Sequence, residues 1–144
     1  MSKKEKLSWR TVIQRSKPKA KFNPGATRAQ IKVAEKKLKV QFPGELISVL
    51  LETNGIEDWF LSVDAIVKEN LFLWSEEGRI DDSYEPLDDL LFFANDGTGS
   101  YFGYPIVDGK CDANLGVVYW FHETDEREVY AQELAKYFEH HLQA

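Results

Sequence analysis

Leu90-Leu-Phe-Phe-Ala94-Asn-Asp-Gly97 is the stretch that decides the fold class. Its continuous apolar run is too short for an independent helix and suits a buried strand, and Asn95-Asp96-Gly97 is the turn that ends it. Tyr101 to Val107 reads as a second strand, after which Asp108-Gly109 turns the chain again. Gly116-Val-Val-Tyr-Trp-Phe121 is a third, rich in β-branched and aromatic side chains. The links between these runs are short, so the strands are expected to pair antiparallel as a meander; parallel pairing would need a long crossover.

Helical patterns lie on both sides of this region. Downstream, Ala131, Leu134, Ala135, Phe138 and Leu142 form the apolar stripe of a C-terminal helix, with Asp125 and Glu128 as its opening. Upstream, Ser62 is placed to cap a helix that carries Val63, Ile66, Val67, Leu71 and Trp74 on one side. Trp59-Phe-Leu61 before it is a short strand candidate. Phe42-Pro43 opens another helix, with Leu46, Ile47, Leu50 and Leu51 as its stripe and Asn54-Gly55 as its end. Thr27-Arg-Ala-Gln30 has the form of a capping box, and Ile31, Ala34 and Leu38 follow at helical spacing, so a helix is expected from Thr27 to Lys39. Residues 6–16, with Trp9, Val12 and Ile13 on one face, read as a short amphipathic helix or an arm. Residues 75–89 are polar and acidic, with only Ile80, Tyr84 and Leu87 as sizeable apolar anchors, and read as a surface loop.

The whole is 144 residues, 43% hydrophobic and 13% aromatic, which suits one domain and excludes a disordered chain. No apolar run is long enough to span a membrane, and no apolar segment follows the charged start to make a signal peptide. Cys111 is the single cysteine, which rules out an internal disulfide and favours a cytoplasmic location. Charge is uneven. Residues 1–40 hold thirteen Lys/Arg against two Glu, whereas the remainder holds five Lys/Arg against twenty-two Asp/Glu. The basic arm interleaves Trp9 and Phe22 with Lys3, Lys4, Lys6, Arg10, Arg15, Lys17, Lys19 and Lys21. Such a pattern suits single-stranded nucleic acid, but the overall charge of −6 argues against direct nucleic-acid binding.

The constellations that resemble catalytic sites are all incomplete. The glycine turn at residues 95–100 lacks the lysine and the spacing of a phosphate-binding loop, and reads as a hairpin turn. His140 and His141 are adjacent, so they point two ways on a helix and cannot form a zinc-binding pair. His122-Glu123 has the residue types of an acid/base pair, but it also reads as a polar strand end, with no nucleophile at a recognisable motif. Cys111 lies among acids, which would raise its thiol pKa, away from reactivity. The paired carboxylates have no metal-binding register, so neither metal nor cofactor is expected.

The order Phe22-Asn-Pro-Gly25-Ala26-Thr27, Ile31-x-x-Ala34-Glu35-x-x-Leu38, Phe42-Pro43 and a Leu-rich helix ending in Asn54-Gly55 resembles the SUKH superfamily of Smi/Knr-like domains. Leu90–Gly99, and Gly116–Glu123 followed by a terminal helix, are similar to that family's strands. The resemblance covers residues 22–142, with residues 1–21 as a separate basic arm or short helix. It implies an α+β fold, an antiparallel β-sheet flanked by helices, and a binding role without chemistry; many bacterial relatives are immunity proteins. Glu35, Gly25 and Gly55 are expected to be scaffold residues, with positive φ at the two glycines.

The expected function is that of a non-catalytic immunity protein whose partner is a cognate protein toxin of nuclease or deaminase type. Such a toxin holds phosphate on a basic surface, which an acidic inhibitor can occupy. The candidate partner-binding residues are Glu57, Asp58, Asp81, Asp82, Glu85, Asp88 and Asp89, with Trp59, Trp74 and Tyr84 as aromatic anchors. Core packing competes as the role of each aromatic. The alternative function is a regulatory adaptor of the same family without a toxin partner; a small enzyme ranks behind both.

Overall fold

Thr27 and Gln30 open the first long helix as their spacing predicts. The Thr27 hydroxyl accepts the Gln30 N–H at 3.1 Å, and the Gln30 side-chain oxygen accepts the Thr27 N–H at 2.8 Å. The computed structural model describes residues 8–143, and side chains as far as His140. The expectations for Lys3, Lys4, Lys6 and the start of the arm, and for the side chains of His141 and Leu142, lie outside the described residues.

Five helices are described: α1 (Trp9–Ser16), α2 (Arg28–Leu38), α3 (Gly44–Glu52), α4 (Val63–Trp74) and α5 (Leu134–Gln143). Pro43 stands at the cap of α3, one position before the first turn. Ser62 caps α4 by accepting the Ala65 N–H at 3.2 Å. The Glu35 carboxylate accepts the Phe42 N–H at 2.8 Å and so fixes the turn between α2 and α3, as expected of a scaffold residue.

The two expected positive-φ glycines differ. Gly55 has φ of 86°, but in the turn beyond α3, whose own end is capped by Thr53 in an extended conformation. Gly25 does not have positive φ. It is needed for a different reason: a Cβ there would lie 1.9 Å from the Leu51 carbonyl oxygen, where the chain crosses the end of α3.

The sheet contains β1 (Leu90–Asn95), β2 (Tyr101–Val107), β3 (Lys110–Cys111), β4 (Val117–Phe121) and β5 (Glu126–Ala131). The order is β1-β2-β4-β5, with β3 beside β2, and every pairing is antiparallel. This is the expected α+β meander, with one correction. Residues 126–131 are a strand, and do not open the C-terminal helix. Asp125 sits in the β4–β5 turn with φ of 65°. Glu126-Arg-Glu-Val-Tyr-Ala131 carries too many charges to read as a strand by composition, but pairing with the β-branched and aromatic β4 overrides that weak preference.

Alternation along the strands divides the core in two. Leu91, Phe93, Phe102, Tyr104 and Val117 join the main cluster with Ile13, Ile31, Leu46, Leu50, Ile66, Tyr137 and Phe138 from the helices. Leu90, Phe92, Val118 and Trp120 form a smaller cluster, closed by Leu73 of α4 and Leu87 of the acidic loop. Helix α1 lies on α5, with the Trp9 and Phe138 rings 5.9 Å apart.

The two edges of the sheet are treated differently. Beside β1, residues 59–61 run along the free edge, with the Leu61 N–H on the Phe93 carbonyl and the Asn95 N–H on the Trp59 carbonyl, each at 2.9 Å. The expected short strand is thus an edge segment held by isolated bridges. Farther along, the buried Asn70 side chain bonds both the N–H and the C=O of Phe92 at 2.8 Å, and the Trp74 indole donates to the Leu90 carbonyl at 2.9 Å. Among the described residues, β5 pairs only with β4.

Candidate protein-binding face

The acidic loop, residues 75–89, has no regular secondary structure, yet its second half, residues 84–89, is anchored to the sheet. Leu87 is buried in the smaller cluster, which contributes about 2 kcal/mol for a side chain of that size. The Tyr84 hydroxyl donates to the His122 carbonyl at 2.8 Å. The Glu85 N–H donates to the Asp125 carboxylate at 2.8 Å, and the other oxygen of that carboxylate accepts the Trp120 indole N–H at 2.8 Å. Arg127 completes the attachment. One terminal nitrogen meets both oxygens of Asp89 at 2.9 Å, while the other reaches the carbonyls of Glu85 and Pro86.

These attachments set the state of the seven candidate carboxylates. Asp89 is paired with Arg127, and Glu57 is paired with Lys17 at 3.5 Å. Asp58, Asp81, Asp82, Glu85 and Asp88 are exposed, and among the described residues none of them enters an ion pair. Asp81 accepts the N–H and the hydroxyl of Ser83, both at 2.8 Å, and these hydrogen bonds hold its carboxyl below the usual range. Tyr84 shows the local field. Partial burial, then the charges of Asp81, Asp125 and Glu123, push its phenol upward. The exposed Glu123, Glu126 and Glu128 of the β4–β5 hairpin extend the negative surface beyond the loop.

Asn95, Tyr101, Trp120 and Arg127 lie across from one another at one end of the sheet. Asp58 is there too, its carbonyl accepting the Asn95 side chain at 2.8 Å. Asp88 and Asp89 lie farther back, near the start of β1, where the Asp89 carbonyl accepts the Ile106 N–H.

The three aromatic candidates face the interior in part. Trp59 is half-buried and packs on Phe60 and Phe138, with the Lys17 ammonium 5.2 Å from its ring centre. Trp74 is half-buried against both core clusters. Tyr84 is half-buried over the smaller one. Arg127 and Asp125 were not among the sequence candidates, though they fix the loop. Their partners are some forty residues away in sequence, so no local pattern announces them.

The Ser100 hydroxyl is buried, bonded to His122 Nδ1 at 2.6 Å and accepting the His122 N–H at 3.1 Å, which ties the glycine turn to the end of β4. Cys111 has its thiol pushed up to about 12, chiefly by burial and then by Glu35. No group of three potential metal ligands is found among the described residues.

The sequence model of the SMI1 / KNR4 family (SUKH-1) matches residues 25–140. The chain belongs to this family. The match runs from the close crossing at Gly25 to His140 in α5, and so takes in both core clusters and the acidic loop. SUKH membership is consistent with an immunity-type or regulatory binding protein. No curated protein gives a significant match. Among the described residues, no helix is long and apolar enough to cross a membrane.

Proposed function

We propose that this chain is a non-catalytic, cytoplasmic immunity protein that binds a cognate toxin domain of nuclease or deaminase type and covers its basic substrate-binding surface. The single observation that carries this reading is the acidic loop. It holds exposed carboxylates at Asp81, Asp82, Glu85 and Asp88 without internal ion pairs among the described residues, on a backbone fastened by Arg127, Tyr84 and Leu87. Family membership supports it.

The physics favours a rigid acidic surface over a loose one. A pre-ordered loop loses little entropy on binding, so more of its electrostatic attraction appears as affinity. Negative potential speeds the encounter with a basic surface, while close packing sets the lifetime of the complex. Glu57 and Asp89 are each held by a cation of the same chain, so their share in attraction is smaller than that of the five unpaired acids. Trp59, Trp74 and Tyr84 act mainly by holding the acidic segments in place.

Co-expression with the toxin encoded by the adjacent gene tests the reading. Rescue of growth by the wild-type chain, lost when Asp81, Asp82 and Asp88 are changed to Lys together, is the expected result. No rescue by the folded wild-type chain overturns the immunity reading, and leaves the regulatory adaptor in its place.

A further inference from the structure

We propose that the outer edge of β5 is a strand-addition site that takes an extended basic segment of a partner protein, with the acidic loop as its flank. The inference rests on the acidic face described above, but not on the partner being a toxin. It begins from the contrast between the two edges. At β1, residues 59–61, Asn70 and Trp74 occupy the outer backbone groups. At β5, no backbone segment among the described residues lies alongside Arg127–Ala131 other than β4. An open row of N–H and C=O groups is a template for another strand.

The side chains decide which strand fits. Glu126 and Glu128 are exposed, and register places Glu128 opposite Tyr119, on the helix-bearing face. Arg127 lies on the other face, neutralised by Asp89. Val129 is 53% exposed and gives an incoming strand an apolar contact. Beside the strand, an open groove of about 450 Å³ runs between β5 and α5, lined by Val129, Tyr130, Gln132, Glu133, Lys136 and His140. Lys136 is offset by Glu139 at 3.2 Å. The Asp125 carboxylate joins the start of β5 to Glu85, so the edge continues into the acidic loop. A strand that alternates Lys or Arg with β-branched residues meets opposite charge and an apolar contact together.

A second copy of the chain fits less well in the registers that bring Glu126 and Glu128 together. Two-fold antiparallel pairing sets residues of the same face opposite each other, so pairing centred on Arg127 or Glu128 sets glutamate against glutamate. Like charges directly opposite are destabilising. The same glutamates that discourage self-pairing attract a basic strand.

The test uses the full chain and three synthetic nine-residue peptides, each alternating Val with Lys, Glu or Ser. Binding is followed by titration and by amide hydrogen exchange. The Lys peptide is expected to bind at least about tenfold more tightly than the Glu peptide, and to slow exchange within residues 126–131. Glu126→Lys with Glu128→Lys is expected to reverse the preference, while exchange in β1 and β2 stays unchanged, which shows that the variant is folded. Equal binding of the Lys and Glu peptides overturns the proposal, as does protection confined to other elements or the absence of binding. So does protection of 126–131 in the free chain that no peptide alters, the result expected if a second copy fills the edge. Failure of toxin rescue with this pattern intact removes the immunity reading alone; rescue without this pattern removes the strand site alone.

Discussion

Asn70 serves Phe92 as a substitute strand. Its side-chain amide meets the Phe92 N–H and C=O at 2.8 Å each, and spends its second amide hydrogen on the Ile66 carbonyl of its own helix at 2.7 Å. The contact falls where the β1–β2 register shifts, between Phe92 and Ala94. Asn70→Ala leaves two buried backbone groups without partners, and a loss of about 2–4 kcal/mol is expected. Urea denaturation measures it. A loss below about 0.5 kcal/mol would show that water or backbone movement replaces the amide.

Arg127 has a different signature. It is mostly covered, but its partner Asp89 is 60% exposed, so Arg127→Ala is expected to lower global stability by only about 1 kcal/mol. The local effect is larger: amide exchange of residues 84–90 should quicken while the strands keep their protection. Uniform quickening across the sheet would contradict the role of Arg127 as a loop fastener.

These two residues also show what the sequence discloses. The capping box at Thr27 and Gln30, the Ser62 cap and the apolar run at Leu90 are signals within a few residues, and all were legible. Glu35 was legible as scaffold because its carboxylate lies on a helix beside the apolar stripe. The β5 strand was not, because its charged residues match no strand pattern until β4 is beside it. Gly25 was recognised but for the wrong reason, since close approach to Leu51 is a contact between distant segments. The acidic loop was visible as composition; its fastening by Asp125 and Arg127 was not.

Alkaline titration follows from the buried phenols. All six tyrosines, Tyr84, Tyr101, Tyr104, Tyr119, Tyr130 and Tyr137, are raised above the ordinary value, with burial as the largest cause in each; at Tyr119 the bond to Asp96 adds to it. A group whose folded pKa is raised contributes stability that is present below its unfolded pKa and is lost as pH rises toward the folded value. Stability should therefore hold up to about pH 9 and then fall. The phenolate absorbance of the buried Tyr104 and Tyr137 should appear together with unfolding. Titration of either near pH 10 in the folded chain would contradict this.

Cys111 supplies a simpler check. With its thiol pushed up to about 12, from an ordinary 9.0, the thiolate at pH 8 is about a thousandfold scarcer than in an unfolded chain. Alkylation of the native chain at pH 8 should be slower by that order. Rapid labelling without unfolding would show the thiol to be more accessible than its packing implies.

The most direct measurement is the rate at which the toxin domain associates with the wild-type chain as salt is raised. The expected result is a fall of about tenfold or more between about 50 and 500 mM salt, with the Asp81→Lys, Asp82→Lys, Asp88→Lys variant slow throughout and nearly insensitive to salt. An association rate that ignores salt, and is the same for the wild-type chain and the variant, would contradict the acidic face as the binding surface.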